Sequence, residues 1–218
     1  MFNQIKSQHR GHLLIKRPIF GVMKKLVTII LSVLIIILGY DAISQQLEYD
    51  IIWLGKIGKL NINKTNKDKY SFIETNSEVK VLFYKLNWKT STTVMDGKLQ
   101  TSDYSQLLNN KKRKFTEIDY VTDSMWQIVN DSGQNEFIYI KHQFNVSDLY
   151  FKEPVNEKYI FSERFGRPFE LVNKGKGQYR LLLPEKNYCD YYYIEGICTS
   201  VKAKNGSRTI KFVLSDKG

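Results

Sequence analysis

From Leu47 onward, apolar and polar residues alternate with period two, the spacing of a strand with one buried face. Leu47, Tyr49, Ile51 and Trp53 alternate with Glu48 and Asp50, and beyond Gly55 the apolar positions change parity to Leu60 and Ile62. A parity change across Gly55 and Gly58 predicts a β-bulge or a bend. Residues 70–86 read as one long strand or two collinear ones. Residues 88–95 run into Asp96-Gly97, a strong hairpin signal, and 99–108 return from it. The pattern predicts further strands over 115–121, 125–129, 137–144, 159–164, 169–172 and 179–183. The last hairpin pairs 188–194 with 197–204 around Glu195-Gly196, and 209–214 follow Asn205-Gly206.

Ten or more short-turned strands define an all-β, mostly antiparallel domain: a sandwich, half-barrel or barrel. One segment departs from the rule. Residues 145–151 begin at Asn145, a good helix-capping residue, carry Asp148 in the first turn and must stop before Pro154. They predict a helix of one or two turns that connects two sheets or plugs one end of a barrel.

The N-terminal region follows a different pattern. Lys24 and Lys25 precede an uncharged apolar run over residues 26–38, and Gly39 and then Ala42-Ile43-Ser44 follow. A positive start, an apolar middle and a small-x-small end are the anatomy of a secretory signal peptide, with cleavage after Ser44. Thirteen helical residues span roughly 20 Å against a hydrocarbon core of about 30 Å, so the run is short for a membrane anchor. Residues 1–22, ahead of an ordinary start at Met23, read as an over-extended N-terminus, 23–44 as the signal peptide, and 45–218 as a single exported domain. The expected location is periplasmic or extracellular, with no stable transmembrane anchor.

That division changes the meaning of the charge. The 218 residues carry a net charge of +11 from 33 basic and 22 acidic side chains. Residues 1–44 hold six of the basic residues and one acid, which leaves 27 and 21, or +6, on 45–218. Export and a modest charge together argue against a nucleic-acid partner. The cluster Lys111-Lys112-Arg113-Lys114 reads as a solvated loop, with anionic lipid head groups or lipopolysaccharide as the alternative contact. With 14 Tyr and 12 Phe the chain is too aromatic to be disordered, and with two Cys it is not a disulfide scaffold.

Candidate chemistry is sparse. Outside the leader there is one histidine, His142, which reads as a half-buried strand residue; a multi-histidine metal site has no raw material. No G-x-S-x-G nucleophile elbow is present, and Gly175-Lys176-Gly177 is a turn and too short for a phosphate loop. No catalytic residue, metal or cofactor is therefore expected. Cys189 and Cys198 lie on the two arms of the Glu195-Gly196 hairpin, where a two-residue turn sets Cys198 opposite Tyr193 and Cys189 opposite Lys202. The sulfurs would lie about 13 Å apart along the strand, beyond the ~7 Å Cα limit for a disulfide, so both are expected free. Glu153, Glu157 and Glu163 flank the short helix, and two such carboxylates at suitable separation would serve a glycoside hydrolase.

The aromatic residues are the other resource. Alternate ones fill a β core; the rest can line a cavity for an amphipathic ligand. The helix is the segment able to cover an open end, so Leu149, Tyr150 and Phe151, with Tyr191 and Tyr193, are the candidate ligand-binding residues.

Four tracts complete the sequence reading: WLGKIG at 53–58, LYFKEP at 149–154, FSERFG at 161–166, and Tyr191-x-Tyr193-x-x-Gly196. Together they resemble a family of uncharacterised exported proteins of Gram-negative bacteria, a domain of unknown function. The resemblance implies a secreted, mostly antiparallel β-domain, like the half-barrels of lipoprotein carriers, and brings no activity. The expectation is a non-enzymatic exported envelope protein that binds a hydrophobic or glycan-like ligand or another envelope protein. The alternative is a carboxylate-dependent hydrolase of an envelope polysaccharide.

Overall fold

The computed structural model describes residues 43–122, 125–133, 135–139 and 144–215. The segment expected to be a signal peptide, up to Ala42, lies outside them, together with His142. Fourteen strands form one sheet: β1 (Ile43–Ile52), β2 (Lys56–Lys67), β3 (Tyr70–Val81), β4 (Tyr84–Met95), β5 (Lys98–Leu108), β6 (Lys111–Thr122) and β7 (Met125–Asn130), then β8 (Asn135–Tyr139), β9 (Tyr159–Ser162), β10 (Arg167–Gly175), β11 (Gln178–Leu182), β12 (Tyr188–Ile194), β13 (Ile197–Asn205) and β14 (Arg208–Leu214). The spatial order runs β8 to β1 in sequence, then β14 back to β9, with every neighbouring pair antiparallel. The sheet is therefore two meanders joined where β1 pairs β14, through Tyr49 opposite Leu214 and Ile52 opposite Lys211.

The sheet curls into an open half-barrel, and its β9 edge folds inside. Phe161 on β9 packs with Leu99, Ile118, Trp126 and Ile128, which face inward from β5, β6 and β7. The Thr116 hydroxyl donates to the Arg164 carbonyl at 2.8 Å, tying the turn after β9 to the same wall. Gly166 sits in that turn at φ 62, where a Cβ would lie 2.6 Å from an Ile128 methyl. Only glycine satisfies both demands. Ala42–Gly218 forms one compact unit that contains all fourteen strands and all three apolar clusters.

Several expected elements change. Residues 70–86 are a hairpin and not a continuous strand: β3 turns at Leu82-Phe83 into β4. Its turn residues are apolar and exposed, so the pattern shows no break. The expected strand over 137–144 is described as β8 over Asn135–Tyr139, residues 140–143 lie outside the described residues, and Phe144 is not in a strand. The strand expected over 159–164 ends at Ser162. The short helix is a single 3-10 turn, Asp148–Tyr150, and with one sheet present it connects the two edge strands β8 and β9 rather than two sheets. The parity change in the first hairpin is a bulge between Ile51 and Ile52. Gly58 on the returning strand permits the close approach of β3, since a Cβ there would lie 2.1 Å from the Glu78 carbonyl oxygen.

Candidate functional site

The segment from Asn145 to Glu153 crosses the interior of the roll, and tyrosines hold it there. The Tyr193 hydroxyl donates to the Leu149 carbonyl at 2.6 Å. Tyr150 packs edge-on against Tyr49 at 5.3 Å and against Tyr191 at 6.3 Å. Tyr49 in turn donates to the Cys198 carbonyl at 2.6 Å. At the far end the Tyr179 hydroxyl donates to Glu153 at 2.8 Å. Burial pushes the Tyr49, Tyr150, Tyr191 and Tyr193 phenols well above their ordinary range, so they act as neutral donors and packing surfaces.

Two carboxylates fix the start of the segment. Glu163 is buried, and its oxygens accept the Val146 N–H at 3.2 Å and the Ser147 N–H at 3.0 Å. The Ser147 N–H is an orphan donor at the start of the 3-10 turn, and the Val146 N–H is shared with the Phe161 carbonyl at 3.0 Å. Burial raises the Glu163 carboxyl above the ordinary glutamate range, opposed by the hydrogen bonds from Ser147. Asp148 is raised for the same reason, opposed chiefly by Lys64 at 3.6 Å.

Beside this segment lies a cavity of about 520 Å³. One wall comes from β3–β5, with Thr75, Leu86, Trp88, Thr90, Tyr104 and Gln106. The facing wall comes from β11–β14, with Leu181, Tyr191, Val201, Ala203, Ile210 and Phe212. Trp88 and Phe212 meet across it edge to face at 6.3 Å. Lys114, Arg164 and Lys204 supply positive charge to the lining, and Glu163 and Glu185 supply the carboxylates. The inner face of β3–β6 carries short hydroxyl residues at core positions, with Thr75, Ser77, Thr92, Ser102 and Thr116 all buried, and Thr75 lines the space. Thr92 and Ser102 satisfy one another at 3.1 Å.

Of the five residues expected to bind a ligand, Tyr150 and Tyr191 line the cavity. Leu149 and Tyr193 belong to the apolar cluster beneath it, and Phe151 packs against the cluster centred on Tyr49, with the Lys64 ammonium 5.5 Å from its ring. Trp88, Phe212 and Ile210 went unnoticed; the one sequence signal for them was their parity on strands facing a Thr-rich wall. The three glutamates do not gather. Glu163 lines the cavity, whereas Glu153 is held by Tyr179 and neither it nor Glu157 lines the space. No group of three or more His, Cys, Asp or Glu suited to a metal occurs among the described residues. Cys189 and Cys198 are both free thiols, and burial pushes each up to about 12. A bulge between Tyr192 and Tyr193 places Cys189 opposite Ala203 and not Lys202, while Cys198 faces Tyr193.

A rolled antiparallel sheet with an internal cavity and an inner cross-segment thus defines a barrel-like, all-β class of protein. The chain belongs to the family described as a domain of unknown function, DUF6134, which matches over residues 49–215. Its fold is similar to that of the crystal structure of a beta-barrel-like protein of the domain of unknown function DUF1849 from Brucella abortus. That match has a TM-score of 0.51 and 10% identity, covering 81% of this chain and 98% of that one. No curated protein matches the sequence. The tracts WLGKIG, LYFKEP and FSERFG fall on the Gly58 approach, the cross-segment, and the Glu163 cap with the Gly166 turn.

Proposed function

We propose that this protein is an exported, non-enzymatic envelope domain that holds an amphipathic ligand, with an apolar body and an anionic head, inside the roll. The observation that carries this reading is the cavity: Leu86, Trp88, Ile210 and Phe212 offer apolar surface, and Lys114, Arg164 and Lys204 offer cations on the same lining. The contiguous apolar surface of Leu86, Trp88, Ile210 and Phe212 supports a hydrophobic body, and Thr75, Thr90, Tyr104 and Gln106 add hydrogen-bonding groups beside it. Export rests on Lys24-Lys25, the apolar run over 26–38 and Ala42-x-Ser44. Cleavage after Ser44 would trim two exposed residues from the free end of β1 and leave its buried part intact. The hydrolase alternative keeps a carboxyl in the cavity, but Glu163 already spends both oxygens on backbone N–H groups.

The test uses protein recovered from the exported fraction. Its N-terminal sequence is expected to begin at Gln45, and a dansylated fatty acid is expected to bind it saturably. Ala203→Trp, which fills the cavity from β13, is expected to weaken that binding at least tenfold while the circular dichroism spectrum stays unchanged. Saturable binding that Ala203→Trp leaves intact, or no binding by the folded wild type, overturns the cavity reading. An uncleaved leader overturns export by this route.

A further inference from the structure

Leucine is a poor choice for a hairpin tip, and this chain places two there. Leu54 and Leu82 have φ of 54 and 51, the left-handed region that favours Gly, Asn or Asp. They are 95% and 91% exposed, and Phe83 beside Leu82 is 92% exposed. Each is strained and bare to water, while the equivalent turns at the opposite end use Asp68-Lys69, Asp96-Gly97 and Glu195-Gly196. An observed outlier of this kind points to function.

The register puts these tips side by side. Gly58 on β2 faces Val79 on β3, so the β1–β2 and β3–β4 turns end level with one another, about 10 Å apart across two strand spacings. Basic turns flank them along the same rim. On one side the β5–β6 turn leads into Lys111, Lys112, Arg113 and Lys114, all exposed. On the other, Arg208 opens β14 beside β1, and Lys186 follows in the β11–β12 connection. Two nearby acids are paired: Asp50 with Lys56 at 2.7 Å, and Glu78 with Lys80 at 2.9 Å and Lys85 at 3.4 Å; Glu185, beside Lys186, is the exposed acid left on this rim. Among the described residues, Lys111, Arg113, Lys114 and Lys186 make no ion pair. An apolar tip between basic shoulders matches one partner closely, an anionic bilayer, where leucine and phenylalanine enter the acyl boundary and lysines meet the head groups. The cavity lining reaches the same rim through Pro184, Glu185, Asn205 and Lys114.

We propose that the rim formed by Leu54, Leu82 and Phe83, shouldered by Lys111–Lys114 and Arg208, docks the domain on the surface of an anionic phospholipid bilayer. This goes beyond the cavity reading and does not depend on it, since docking requires no bound ligand.

The test uses residues 43–218, the compact unit that holds every strand and core, which removes the apolar run over 26–38 from the measurement. Co-sedimentation is measured with vesicles of phosphatidylcholine alone and with about one-third phosphatidylglycerol. Binding is expected to the anionic vesicles only, to fall at least tenfold at high salt, and to shift Trp53 fluorescence to the blue. The variant L54N/L82N/F83S is expected to lose binding at least tenfold with its melting temperature unchanged or raised, because Asn tolerates left-handed backbone. A charge-reversed Lys111–Lys114 variant is expected to lose binding without loss of fold. Equal binding to both vesicles, no binding to either, or a triple variant that binds as well as the wild type overturns the proposal. So does a triple variant whose only change is loss of self-association, which would assign the rim to a protein partner.

Discussion

The two walls of the roll follow the same period-two pattern and use it differently. On β3–β6 the buried positions mix the short hydroxyls Thr75, Ser77, Thr92, Ser102 and Thr116 with apolar residues such as Ile73, Leu99 and Ile118; on β11–β14 with β1 the buried apolar positions are Tyr, Leu, Ile, Val and Cys. Both sets are buried, but they differ in volume. The large side chains meet the cross-segment and close into solid packing around Leu149 and Tyr150. The short hydroxyls bond locally, Thr92 with Ser102 and Thr116 with the Arg164 carbonyl, and Thr75 borders the cavity that lies between the walls. Alternation alone thus decides which face is inside; side-chain size decides whether the inside is filled.

The widest separation of the walls should come from truncation. Tyr49→Ala removes a fully buried ring, its contact with Tyr150 and its hydrogen bond to the Cys198 carbonyl. The expected loss is about 3–5 kcal/mol by urea denaturation. Thr75→Val, on the hydroxyl wall, is expected to change stability by under about 1 kcal/mol. Similar losses at both sites would show that the hydroxyl wall is as tightly packed as the aromatic one.

A smaller effect is expected at the seam. Gly58→Ala sets a methyl group against the Glu78 carbonyl oxygen, where β2 and β3 join the two walls. Forcing that approach apart should cost about 1–3 kcal/mol. An unchanged melting temperature would mean that the strands separate freely there, and the walls would then be less rigidly coupled than their register implies.

The smallest effect should depend on pH. Burial raises the folded-state pKa of Glu163 above its ordinary value of 4.5, so the proton is held more tightly in the folded protein. The stability this contributes is fully present below 4.5 and is lost as pH rises through the folded value. Glu163→Gln cannot titrate, and its single amide oxygen keeps one of the two N–H contacts. The variant is expected to be less stable than wild type by about 1 kcal/mol at pH 4. That gap should shrink or reverse by pH 7. A gap independent of pH would show that Glu163 titrates in its place as it does in water.

Much of this architecture was legible in the sequence. Alternation located the strands, and Asp96-Gly97 and Glu195-Gly196 marked their turns because such residues adopt positive φ readily. Leu82-Phe83 hid a turn by continuing the apolar run, since local pattern does not distinguish a buried leucine from one exposed at a tip. The Cys189 register moved because a single-residue bulge leaves no mark in a strand of mixed residues. The cavity was harder still. A high aromatic content suggested rings around a ligand; Trp88, Tyr104, Tyr150, Phe165, Tyr191 and Phe212 line the space, while Tyr49, Tyr179 and Tyr193 hold the cross-segment. The role of Glu163 depends on N–H groups 16 and 17 residues away, which only the fold brings near.

The pairing of β1 with β14 also sets an order of events. A chain delivered from one end, by a ribosome or through a secretion pore, presents β1 first and β14 last. The meander from β1 to β8 can assemble by successive hairpins whose partners arrive within a few residues of one another. The seam between Tyr49 and Leu214 must wait for the whole chain, and closing a loop of this length costs on the order of 4–5 kcal/mol in chain entropy. Until then β1 keeps a bare edge, and Tyr49 on it lacks the Cys198 carbonyl that its hydroxyl bonds. The last strand is the latch of the roll: the two meanders cannot join, and the cavity between them cannot exist, before β14 arrives.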